Sequence, residues 1–105
     1  MSNLRIGITT TETFLDAKKL ASAAVEKRLA ACAQIDGPIT SIYYWEGEIQ
    51  SDKEFRILLK YPDERSVDLQ DWILDEHPYE TPEWVIINPE FVSEEYEKWV
   101  FQMCR

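Results

Sequence analysis

Ser41-Ile42-Tyr43-Tyr44-Trp45-Glu46-Gly47-Glu48-Ile49 sets five large apolar side chains around one reversal signal, and its reading decides the fold. Glu46-Gly47-Glu48 turns the chain, and the β-branched and aromatic residues before it suit an extended strand. Upstream, Cys32, Ala33 and Ile35 start an extended pattern, Gly37-Pro38 bends it, and Ile39 to Trp45 completes a kinked strand. Downstream, Phe55-Arg56-Ile57-Leu58-Leu59-Lys60 returns after a polar stretch from Gln50 to Glu54. The centre of the chain is therefore predicted to be a long β-hairpin.

Working outward, Leu4-Arg5-Ile6-Gly7-Ile8-Thr9-Thr10 places apolar residues at every second position, the period of a half-buried strand. Thr13 followed by Asp16 resembles a capping box. Phe14, Ala17, Leu20, Ala21, Ala24, Val25 and Leu29 then form a helical stripe ending near Arg28. Beyond the hairpin, Pro62-Asp63-Glu64 opens a second helix with Asp63 as the expected N-cap. Val67, Leu69, Trp72, Ile73 and Leu74 carry it to about Glu76, and Pro78 stops it. Trp84-Val85-Ile86-Ile87 reads as a central strand, and Glu94 to Met103 as a last helix through Tyr96, Trp99, Val100 and Met103. The order strand, helix, strand, strand, helix, strand is the split βαβ pattern of an α+β, ferredoxin-like βαββαβ sandwich, here with a C-terminal helix added. In that pattern both inner helices cover one sheet face and leave the other bare.

The 105 residues fit a single domain spanning residues 1–105, since no stretch reads as a linker. Twenty Asp and Glu against eleven Lys and Arg give a charge of −9, which repels the phosphates of nucleic acid and anionic membranes. Neither is expected as a partner. Met1-Ser2-Asn3-Leu4-Arg5 enters the first strand without the apolar run of a signal peptide, so a cytoplasmic location is expected. Cys32 and Cys104 lie far apart, outside any Cys-x-x-Cys pair, as free thiols in a reducing compartment would.

Alternation along the hairpin puts Ser41, Tyr43 and Trp45 on one face and Ile42 and Tyr44 on the other. Only one face can lie under the helices, and each uncovered aromatic exposes up to about 150–250 Å². Self-association is the expected cover. The alternative is that the last helix folds back over the open face and hides these rings in a monomer.

Three segments together resemble the CutA family of divalent-cation-tolerance proteins. They are Arg28-Leu29-Ala30-Ala31-Cys32-Ala33-Gln34, the stretch from Ser41 to Ile49, and His77-Pro78-Tyr79-Glu80-Thr81-Pro82-Glu83. Tyr96 to Trp99 is similar to the family's last helix. The resemblance implies a homotrimer in which long hairpins pair between neighbouring subunits, similar in assembly to the PII signalling proteins and associated with tolerance to copper and other divalent cations. Ile8-Thr9-Thr10-Thr11 departs from the pattern, because many members carry a cysteine there. Gln34-Ile35-Asp36-Gly37-Pro38 also differs from the usual segment.

His77 and Cys32 are the residues suited to copper or zinc, and such ions take three or four protein ligands. Glu80, Glu83, Asp75 or a neighbouring subunit would have to complete a weakly binding site. His77 equally suits the end of a helix stopped by Pro78, and Cys32, among alanines, suits a buried core. Cys104, near the C-terminus, is expected to be mobile and oxidisable, and Glu46, Glu48, Asp52 and Glu54 to form a solvated acidic surface. By resemblance, Tyr43, Tyr44, Trp45, Arg56, Lys60 and Tyr79 line an inter-subunit cleft. No phosphate loop or nucleophile motif points to an enzyme. The sequence thus reads as a homotrimeric cytosolic protein of divalent-cation tolerance. The alternative is a PII-like regulatory trimer holding a small metabolite or a protein in its clefts.

Overall fold

The computed structural model describes residues 2–105, so Met1, where the expected domain begins, lies outside the described residues. The elements run β1 (Leu4–Thr11), α1 (Phe14–Glu26), β2 (Cys32–Trp45), β3 (Glu48–Pro62), a 3₁₀ turn (Asp63–Arg65), α2 (Ser66–Glu76), β4 (Val85–Ile87) and α3 (Glu94–Met103). All neighbouring strands are antiparallel in the order β2-β3-β1-β4, as the split βαβ pattern requires.

Local chemistry explains the boundaries. Thr13 caps α1 by accepting the Asp16 N–H at 3.1 Å, and α1 ends where Arg28 turns into the left-handed region at φ 59°. Asp63 is not the cap of α2. It sits inside the 3₁₀ turn and pairs with Arg5 at 3.2 Å, because the chain tightens before the α-helix begins. The last carbonyls of α3 are held by two guanidiniums: Arg28 donates to Met103 O at 2.9 Å, and Arg65 to Cys104 O at 3.0 Å.

Strand parity divides the sheet. Phe55, Ile57, Leu59 and Tyr61 of β3 face α1 and α2, and they pack with Ala17, Leu20, Ala24, Leu69 and Ile73 into the main core. Ile6, Ile8, Leu58, Arg56 and Lys60 point the other way. Helix α3 covers one end of this second face, where Leu4, Ala31, Val100 and Cys104 form a small second cluster flanked by Ile6 and Tyr96. Cys104 is thus fixed in a core rather than mobile. The far part of the face stays uncovered, and β4, expected as a central strand, is a three-residue edge strand with all three side chains exposed.

Register pairs β1 with β3 only as far as Thr11 opposite Phe55. Residues 39–45 and 48–54 therefore project beyond the sheet as a two-stranded ribbon, about 20 Å long at the usual rise per residue. Glu46 and Gly47, with φ 52° and 80°, close it as a two-residue turn matched to strand twist. At its base a register shift between Asp36 and Ile39 inverts the alternation: Cys32, Gln34 and Asp36 share a face with Ile39, Ser41, Tyr43 and Trp45. Helix α3 does not reach the ribbon, and Tyr44 and Trp45 remain 74% and 57% exposed.

Gly7 permits the Trp84 ring to lie close over β1, since a Cβ there would overlap that ring. Gly7→Ala is expected to destabilise the protein by about 2 kcal/mol through overpacking, read as a lower denaturation midpoint, and Trp84→Leu in the same chain to recover part of it.

Candidate functional site

The uncovered sheet face carries polar groups at two separate places. The first lies where β1 ends and the ribbon begins. Tyr79 donates its hydroxyl to Glu54 at 2.8 Å, and Arg56, two residues along β3, grips Asp36 with both branches of its fork, at 3.2 and 2.8 Å. The hydrogen bond from Arg56 holds the Asp36 carboxyl below its ordinary value. Glu83 feels both neighbours: burial first, then the Glu54 charge, push its carboxyl up against the opposing pull of Arg56. Burial and the bond to Glu54 push the Tyr79 phenol well above its ordinary range. Three carboxylates, one guanidinium and one phenol thus share a corner in which Glu54 and Tyr79 are half-buried.

His77 anchors the segment that delivers Tyr79. Its backbone N–H caps α2 on Ile73 O at 3.0 Å, and its ring is buried. Nδ1 accepts the Tyr79 N–H at 3.0 Å, which leaves Nε2 as the protonated nitrogen, donating to Thr10 O at 2.9 Å. Burial lowers the His77 pKa, with the Thr10 bond acting in the opposite sense. The threonine run is the seat for this ring: Thr9, Thr10 and Thr11 are all buried, and Thr11 donates to Thr13 O at 2.8 Å.

The second place lies at the α3 end of the face. Lys60 stands 5.6 Å over the Tyr96 ring and donates to Gln34 Oε1 at 2.8 Å, while Tyr96 stacks on Trp99 at 5.8 Å. Cys32 lies opposite Lys60 in the ladder. Burial, then Cys32, push the Tyr96 phenol up.

The residues expected to act together are therefore dispersed within the chain. Arg56, Tyr79 and Glu83 meet, Lys60 sits four residues further along β3, and Tyr43, Tyr44 and Trp45 lie out on the ribbon. Cys32 and His77 are about 13 Å apart along β1, since Cys32 is in line with Ile6 and His77 with Thr10. Glu80 is exposed. Among the described residues, no group of three or more His, Cys, Asp and Glu is placed to hold a metal ion. Glu54 and Asp36 were legible only through register: Glu54, expected in a solvated acidic surface, is half-buried against Tyr79.

These features define an α+β domain of ferredoxin-like topology, with one bare sheet face and a projecting ribbon. The description CutA1 divalent ion tolerance protein matches residues 6–103, and the chain belongs to that family. Human Protein CutA is 40% identical over 87 residues, 83% of this chain and 49% of its own length. The chain thus spans about half the length of the mammalian relatives it matches. The structure of CutA1 from Ehrlichia chaffeensis is similar at 34% identity and TM-score 0.95, covering 100% of this chain and 98% of that one. CutA from Archaeoglobus fulgidus, described as periplasmic, is similar at 29% identity and TM-score 0.92, over 97% of this chain and 99% of that one. No helix of the described residues is long and apolar enough to cross a membrane.

The His77 geometry sets a sign for pH dependence. Its folded pKa lies below the ordinary 6.5, so the unfolded chain takes the proton first. Stability present above that value is lost as pH falls through the folded pKa. Thermal midpoints measured from about pH 7.5 down to pH 5 should fall more steeply for the wild type than for His77→Gln.

Proposed function

We propose that this chain acts in divalent-cation tolerance, copper and zinc included, as a non-enzymatic homotrimer. Its bare sheet faces turn inward and its ribbons clasp neighbouring subunits. The observation that carries this reading is the uncovered apolar surface. Ile42, Tyr44, Trp45 and Ile49 on the ribbon are each more than half exposed, and Val85 and Ile87 add to the bare face of the sheet. A two-stranded hairpin alone is marginal in water. At about 25 cal/mol/Å², burying two such rings in a partner contributes several kcal/mol before association costs.

Trimer formation would also bring together what one subunit keeps apart. The corner of Tyr79, Glu54, Glu83 and Arg56 lies at the ribbon base, where a neighbouring ribbon carrying Tyr43, Tyr44 and Trp45 would form a cleft wall. The cytosol suits the two free cysteines, one of them buried. Tolerance would then depend on the assembled surface rather than on a turnover step.

Cells lacking this chain should grow poorly at raised copper, and the wild-type chain should restore growth. Tyr44→Ser combined with Trp45→Ser should dissociate the protein in sedimentation experiments and fail to restore growth. Full restoration by a dissociated variant would remove assembly from the function.

A further inference from the structure

We infer that divalent cations associate with this chain through its excess carboxylate charge and not through a coordination centre of its own, because its one imidazole is consumed as a structural latch. The inference rests on the family's link to divalent ions and not on the trimer. To ligate a metal an imidazole must offer a nitrogen lone pair, and the neutral ring has one. In His77 that pair, on Nδ1, receives the Tyr79 N–H at 3.0 Å. The other nitrogen gives its proton to Thr10 O at 2.9 Å. Ligation through Nδ1 would orphan the Tyr79 amide. Ligation through Nε2 would require the proton to move and both bonds to break. The ring is buried between the end of β1 and the turn after α2, so neither loss is met by water.

The remaining candidates do not replace it. Cys32 lies at the other end of the face, opposite Lys60, whose ammonium repels a cation. Cys104, at the C-terminal end of α3, is buried against Leu4, Ala31 and Val100, and burial pushes its thiol up, away from the thiolate a metal takes. Carboxylates are plentiful but spread. Glu46, Glu48 and Asp52 lie on the ribbon, and Asp68, Asp71 and Asp75 on the outside of α2, all exposed. With −9 per chain, they draw cations to the surface without fixing a geometry. Such attraction is unselective and is screened by salt.

The test is long-range proton–nitrogen NMR on the His77 imidazole during zinc titration of the full chain, with zinc uptake followed by equilibrium dialysis at two salt concentrations. The expected spectrum is a neutral ring protonated on Nε2, with nitrogen shifts unchanged by zinc. Uptake should weaken by about tenfold or more between low salt and roughly 0.3 M potassium chloride, and calcium should compete. His77→Gln should leave the zinc isotherm unchanged while the Tyr79 amide exchanges with solvent about tenfold faster or more. A zinc-shifted His77 nitrogen overturns the inference. So does salt-resistant stoichiometric uptake at any other residue, or no uptake at low salt. The imidazole signal reads ligation in whatever assembly the protein adopts, so a failure here is distinct from a failure of the trimer.

Discussion

The structure depends on one-sided coverage of a four-stranded sheet. Alternation along β3 sends Ile57, Leu59 and Tyr61 to α1 and α2, and by the same geometry sends Arg56, Leu58 and Lys60 to the face those helices cannot reach. Helix α3 closes only the end near Leu4 and Ala31. The bare remainder continues into a ribbon whose strands, 14 and 15 residues long, outrun the eight of β1. A fold built in this way leaves apolar surface that the proposed assembly would cover with a second copy of the chain.

The same asymmetry places the chemistry. Polar groups on the helix-covered face would lie in a dry core, so the corner of Glu54, Arg56, Asp36, Tyr79 and Glu83 belongs on the bare face, where partial shelter raises the Glu83 and Tyr79 pKa values without expelling their charge partners. His77 is the joint between this corner and the core. It ends α2 and is seated by its ring on the last residues of β1, and it holds the amide of the residue whose hydroxyl meets Glu54. The threonines at the end of β1 fit that duty, since the strand supplies a carbonyl and tight packing there.

Much of this was legible in the sequence because it is local. The period of two in β1, the stripe and Thr13 cap of α1, and the reversal at Glu46-Gly47 each follow from residues close in the chain. What was not legible depends on partners distant in sequence. Trp84 to Ile87 looks central by composition, yet strand order makes it an edge. Asp63 looks like a cap, yet Arg5, on β1, takes its carboxylate. Cys104 looks free because it is near the end of the chain, yet Arg65 and the Leu4 cluster hold it. The shift at Gly37-Pro38 also hides which hairpin residues share a face with Glu54, so Asp36 could not be placed in the site from alternation alone.

The central claim is that the bare face and the ribbon are interior surfaces of an assembly. Static light scattering on the purified wild-type chain at micromolar concentration tests it most directly. The account predicts a mass of three 12.4 kDa chains, held on dilution through that range. A mass of 12.4 kDa, with the ribbon aromatics still folded, would contradict it.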